Sequence, residues 1–350
     1  MQFTHRPAAK TAHTVVLKLP DSYIINENAK KCKSENVKSV KFSLTNGGSM
    51  MSQDRNISKM DASYAHSDLA LECAGGADLS EEKRGGCTVT RLFVSTRQSE
   101  ERYGKPRGHY VTLECGRIWE FDDERTECVS EVLSGELVRM CRAMCGRAPD
   151  RDFGILVAGL GNGDITADAI GPETVRRIEV TRHLRSYLPD AYRTLGVCAV
   201  SALAPGVLGQ TGIETVELVR GAAGNAAPDL IIAIDALAAR SVSRLATTVQ
   251  LSDNGINPGS GIGNTRRAIS RETVGVPVLA LGVPTVVSSA TLVYDALREA
   301  GVGHVSRELR QVLEQGRDFF VSPKESDVIV KKVAALLARA IGMACTVSAE

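Results

Sequence analysis

Three stretches of the chain are apolar almost without interruption: Gly154-Ile155-Leu156-Val157-Ala158-Gly159-Leu160-Gly161, Asp229-Leu230-Ile231-Ile232-Ala233-Ile234-Asp235 and Pro277-Val278-Leu279-Ala280-Leu281-Gly282-Val283. Runs this short, bounded by glycine, proline or acids, predict strands buried on both faces. Helical patterns separate or follow them. One helix starts near Gly171-Pro172, where proline suits a first turn, and runs towards His183. Another is signalled by Ser322, Pro323 and Glu325, a capping box with proline at the first position, ahead of Ile329, Val333, Leu336, Leu337 and Ile341. The alternation predicts an α/β fold with a mostly parallel twisted sheet and helices on both faces.

Upstream the pattern changes. Apolar positions at helical spacing (Val129, Val132, Leu133, Leu137, Met140) predict a helix from about 124 to 145. Before it, 88–94 and 110–114 read as strands, the second after the turn Lys105-Pro106-Arg107-Gly108. Residues 1–60 are rich in Lys, Asn and Ser and carry two short β-like runs, 14–17 and 40–44. They read as a poorly ordered extension, or as sequence translated from an early start codon, with Met50, Met51 and Met60 as alternative starts. No linker divides residues 61–350.

Composition narrows the field. The 350 residues include 42 basic and 41 acidic side chains, a balance that does not suggest nucleic-acid binding. No run is long enough to cross a bilayer, so no membrane is expected. The nine cysteines show no paired CxxC knuckles; this predicts reduced thiols in a cytoplasmic compartment, with Cys198 buried and inert. No histidine adjoins the glycine-rich loops, which speaks against a Ser–His triad or a His-ligated metal there. GLGNG is neither GxGxxG nor a phosphate-binding loop.

In such a sheet, ligands bind beyond the carboxyl ends of the strands. Three loops fall there: 159–168, 235–241 and 255–264. Two carboxylates, Asp168 and Asp235, lie in the first two. Carboxylates that converge on one crevice can share a proton, one acting as base towards water and the other as acid. A second reading gives them structural tasks, with Asp168 capping a helix and Asp235 pairing with Arg240.

At these same residues the chain resembles the germination protease family of spore-forming Firmicutes. The matching stretches are Ser67-Asp68-Leu69-Ala70-Leu71-Glu72, Gly104-Lys105-Pro106 with 110–114, 159–162 through 168–172, 204–212 through 234–241, 258–264, 282–287 and 321–325. The likeness spans about 63–345. It implies an atypical aspartic endopeptidase that initiates degradation of small acid-soluble spore proteins during germination. It also implies a single-domain three-layer fold similar to hydrogenase-maturation proteases, a self-processing zymogen, a homotetramer, a forespore or spore-core location and no cofactor or metal. The family's two proposed catalytic aspartates fall on Asp168 and Asp235; which is acid and which is base stays open. Two departures stand out. The first 60 residues match nothing in the family, and the region between Leu297 and Phe319 is shorter than usual.

The family's substrates are cut within a motif like Thr-Glu-Phe-Ala-Ser-Glu, after the first acid. Ser67-Asp68-Leu69-Ala70-Leu71-Glu72 has the same order of hydroxyl, acid, apolar, Ala, any residue and Glu. Self-cleavage is therefore expected between Asp68 and Leu69, so that 61–68 ends the propeptide and 69–345 forms the mature domain. Backbone N–H groups of Gly259, Ser260, Gly261, Gly263 and Asn264 are candidates for stabilising the oxyanion. Two other functions remain open at this point: a metal-sensing endopeptidase of the hydrogenase-maturation type, and an inactive zymogen-like binding protein.

Overall fold

The computed structural model describes residues 23–25, 58–59, 67–73, 79–259, 266–302, 304–315 and 319–347. The β-like runs 14–17 and 40–44, and the extension's state of order, lie outside them. The strands are β1 (Tyr23–Ile25), β2 (Ser58–Lys59), β3 (Leu79–Arg84), β4 (Cys87–Val94), β5 (Gly108–Glu114), β6 (Gly154–Gly159), β7 (Ala199–Leu203), β8 (Leu230–Ala239), β9 (Thr248–Ser252), β10 (Val278–Ser288), β11 (His304–Val305) and β12 (Phe320–Pro323). The main sheet runs β3-β4-β5-β9-β10-β8-β6-β7, and β12 joins it by pairing with β10 and β1. A separate ribbon pairs β2 with β11.

The three apolar runs become β6, β8 and β10, and these pair in parallel with one another and with β7. The strands from β3 to β5, together with β9, add an antiparallel flank, so the sheet is mixed. The alternating burial of β4 against the near-continuous burial of β8 reflects this: a flank strand hides one face more than the other, a central strand hides both. β10 is the junction, with parallel β8 on one side and antiparallel β9 on the other.

Helices Asp123–Cys145, Ile170–Val175 and Ser326–Ala344 cover one face through a cluster that includes Leu133, Leu137, Ile170, Leu336 and Leu337. Helix Thr215–Ala226 packs on the other face through Val216, Val219 and Ala223 against Leu156, Ile231 and Ala233. The result is a three-layer α/β fold. Each of those leucines is fully buried, so truncation to alanine should cost about 2–5 kcal/mol.

Two helices differ from expectation. The one at Gly171-Pro172 stops at Val175, and a separate helix covers Arg182–Tyr187. Thr181 pulls the chain to the sheet between them: its N–H bonds Val200 O at 2.9 Å and its hydroxyl bonds Cys198 O at 2.7 Å. The last helix begins at Ser326, without a side-chain cap. Ser322 and Pro323 belong to β12 instead, because Val321 pairs with Val287 and packs beside Leu69 and Leu237; strand pairing and burial outweigh the capping pattern.

Candidate active site

β6 and β8 separate where the crevice opens. Their register ends at Gly159 opposite Ile234, and Leu160 N–H closes the last bond to Ile234 O at 2.7 Å. β8 continues to Ala239, supported by β10. Asp235 is the first residue past the split and is 5% exposed. Its Oδ1 accepts the N–H of Ala236 at 2.9 Å.

The loop after β6 turns back tightly. Gly161 has φ +104°, and a Cβ there would stand 2.1 Å from Asp168 O, so only glycine fits. Asp168 closes the short turn Thr166–Asp168, and its Oδ2 accepts Asn162 N–H at 2.7 Å. Thr285 on β10 donates to Ala167 O at 2.7 Å and ties this turn to the sheet. Asp168 therefore holds its own loop rather than capping a helix.

Both carboxylates line one cavity of about 330 Å³, which lies over the parallel-to-antiparallel junction. Burial, then the charge of Asp168, then that of Asp68, hold the Asp235 carboxyl well above the usual range; only the Ala236 N–H opposes them. Burial also raises Asp168, against the Asn162 N–H. Arg240 does not serve as the expected partner of Asp235; its Nη1 donates to Glu72 O at 2.8 Å. Two acids that cannot both ionise cheaply thus face one space.

The chain's own segment 67–73 occupies the edge that β6 vacates. Asp68 N–H bonds Ala238 O at 2.9 Å, and its Oδ2 accepts Ala238 N–H at 2.9 Å. Each position of the hydroxyl–acid–apolar–Ala–x–Glu pattern has a physical setting. Ser67 Oγ accepts Leu69 N–H at 3.0 Å and also donates to Glu72. Leu69 and Ala70 are fully buried, Leu69 against Leu237, Leu245 and Val287. Leu71 is half-buried. The Glu72 carboxylate accepts Arg240 N–H at 2.7 Å and Ser241 N–H at 3.0 Å.

Of the loop 259–264, Gly259 lines the cavity, whereas Ser260, Gly261, Gly263 and Asn264 lie outside the described residues. Lys105, Tyr110, Gln250 and Asn254 also line the cavity and were not singled out by sequence reasoning. Lys105 and Tyr110 sit inside family-like stretches and could have been; Gln250 and Asn254, on β9 and just after it, carry no sequence signal. Burial pushes the Tyr110 hydroxyl up to about 12, so it stays a hydrogen-bonding phenol that donates to Pro106 O at 2.8 Å. Among the described residues no group of three or more His, Cys, Asp or Glu side chains could hold a metal ion. Cys198 is buried, and the eight described cysteines are free thiols. Among the described residues no helix is long and apolar enough to cross a membrane.

The sequence model of the germination protease family matches residues 54–315. The chain belongs to that family. It is 38% identical over 308 residues to the germination protease of Caldanaerobacter subterraneus subsp. tengcongensis, covering 79% of this chain and 93% of that one. The corresponding protein of Clostridium acetobutylicum is 39% identical over 278 residues, 73% of this chain and 84% of its own. That of Bacillus subtilis is 44% identical over 230 residues, 66% and 61%. The protein is accordingly a peptidase of the germination protease family. The match starts within the first 60 residues, at a point where the motif reading saw no counterpart.

Proposed function

We propose that this peptidase initiates the breakdown of small acid-soluble spore proteins in the germinating spore, and that it is made in the forespore as a homotetrameric zymogen that cuts its own chain between Asp68 and Leu69. The observation that carries the reading is the segment 67–72, whose Asp68 lines the cavity shared by Asp168 and Asp235 and which matches the family's cleavage pattern position by position. A segment held as a substrate would be held, beside two acids, is poised for cleavage in cis. The same contacts would then receive Glu or Asp of a substrate protein in trans.

In this mechanism Asp235 carries the proton and Asp168 is ionised. Each carboxylate accepts one backbone N–H, but Asp235 is the more deeply buried and is raised also by the charges of Asp168 and Asp68, whereas burial alone raises Asp168. Water loses a proton to Asp168 as its oxygen adds to the Asp68 carbonyl carbon. The C–N bond then breaks, and the Leu69 nitrogen takes the proton held by Asp235.

Intact mass and N-terminal sequencing of the matured chain test the reading: Leu69 is the expected first residue, and a mature terminus elsewhere rejects the site. Incubation with a purified small acid-soluble spore protein, followed on a gel, tests the substrate. Light scattering behind a sizing column tests the tetramer. No observation here favours the metal-sensing alternative, and membership of a peptidase family tells against the inactive binding protein.

A further inference from the structure

We propose that Lys105 and Gln250 form the oxyanion hole of this peptidase. The inference rests on the reading that Asp68–Leu69 is the bond cut. The carbonyl oxygen of that bond is Asp68 O, and two donors converge on it: Lys105 Nζ at 3.0 Å and Gln250 Nε2 at 3.1 Å. Both of the oxygen's lone pairs thus face protein donors.

Each donor is fixed by a second bond on the same segment. Lys105 Nζ also donates to Ser67 O at 2.9 Å. Gln250 Oε1 accepts Ala70 N–H at 2.6 Å. A backbone N–H can only be met by the amide oxygen, so this contact also settles which end of the Gln250 amide faces Asp68 O. The two residues therefore straddle the bond, Lys105 also gripping Ser67 on its N-terminal side and Gln250 also gripping Ala70 on its C-terminal side.

The sheet places them opposite the acids. Gln250 on β9 pairs with Gly282 on β10, which pairs with Asp235 on β8. Residues in register across three strands share a face and stand about 10 Å apart, a span that accommodates a peptide bond and a water between them. Lys105 reaches the same space from the turn before β5, anchored by Tyr110 and Asn254 on Pro106 O at 2.8 and 3.4 Å.

The chemistry follows. When water adds to the Asp68 carbonyl carbon and gives its proton to Asp168, the carbonyl π pair moves onto the oxygen. That oxygen becomes an anion between an ammonium and an amide N–H, both already aimed at it. Because a cation balances the charge, the oxygen needs no proton of its own, and the proton on Asp235 stays available for the leaving Leu69 nitrogen. When the pair re-forms the carbonyl, the C–N bond breaks and that proton moves across.

Self-processing of the full chain is intramolecular, so its first-order rate, read by intact mass, reports the chemical step. Lys105→Met should slow it by about 10²–10³-fold, and Lys105→Arg should restore most of the loss. Gln250→Glu keeps an acceptor for Ala70 N–H but has no donor for Asp68 O, and should slow it by about 10²-fold. A phosphinic analogue of Ser-Asp-Leu-Ala-Leu-Glu, tetrahedral and anionic at the scissile position, separates catalysis from mere gripping. After prolonged processing, Lys105→Met should bind it about 10²-fold more weakly than wild type, with the KM of the matching peptide changed less than about threefold. Wild-type processing by Lys105→Met, or equal weakening of analogue and peptide, overturns the inference. If Asp168→Asn is inactive in that case, the proteolytic reading survives without it. A wild-type chain that cuts neither itself nor the peptide removes both.

Discussion

Two carboxylates in different parts of the molecule are almost equally hidden, Asp235 at 5% exposure on β8 and Glu136 at 2% in the helix Asp123–Cys145. Their surroundings are opposite. Glu136 is clamped by Arg91 from β4 at 2.5 Å and by Arg139 one turn along its own helix at 2.5 Å. Burial pushes Glu136 up, but the hydrogen bonds and charges of the two arginines outweigh it and leave the group below its usual range. Asp235 has a single backbone N–H and two negative neighbours, and is raised. The difference separates an acid neutralised where it lies from one left uncompensated, the state that the proposed holding and release of a proton requires.

The largest expected effect breaks the comparison if it fails. Asp168→Asn and Asp235→Asn should each lower self-processing and substrate cleavage by about 10³-fold or more with the fold intact, as seen by circular dichroism. Glu136→Gln should leave the rate per folded molecule unchanged. Near-normal cleavage by either asparagine variant would remove the two-acid mechanism.

Next in size is stability. Arg91→Met leaves Glu136 with one arginine and should cost about 1.5–3 kcal/mol in urea unfolding, with the rate per folded molecule again unchanged.

The pH dependence of stability sharpens the contrast, because the two acids have opposite signs. A carboxyl raised in the folded state contributes stability that is present below the unfolded value and lost as pH rises through the folded one. A lowered carboxyl contributes stability that is present above the unfolded value and lost as pH falls. Relative to wild type, Asp235→Asn should therefore have a higher Tm near pH 8 and Glu136→Gln a lower one, with both differences shrinking below about pH 4. Thermal melts across pH check this, and differences of the same sign would refute it. The cleavage rate should also fall on the alkaline side as Asp235 loses its proton.

The smallest effect concerns the held segment. Glu72→Gln keeps the shape but weakens acceptance from Arg240 N–H and Ser241 N–H, and should slow self-processing about fivefold.

The parallel core was legible because β6, β8 and β10 are continuous apolar runs, and burial on both faces leaves that trace. The flank was legible only as separate strands: nothing in 88–94 or 110–114 says that β9 will carry them onto β10 in antiparallel register. The 170–183 helix was misread because Thr181 is drawn out by Val200 and Cys198, contacts that are distant in sequence. Asp168 and Asp235 stood out as acids in the loops expected beyond two strands, although 235–239 proves to be strand because β10 carries β8 on to Ala239. Lys105 and Gln250 did not, since their place opposite the acids depends on the register of β9, β10 and β8.

Because β6 stops at Gly159 while β8 runs on to Ala239, the crevice contains a strand end whose N–H groups are met by acidic side chains, Asp68 on Ala238 and Glu72 on Arg240 and Ser241. Such a rail demands a segment released from its own fold, with acids spaced to reach those N–H groups. A helix or a sheet interior presents none. Compact proteins should therefore pass the enzyme uncut whatever their sequence, and any target must first lend it an unravelled stretch of about six residues, the length that 67–72 occupies.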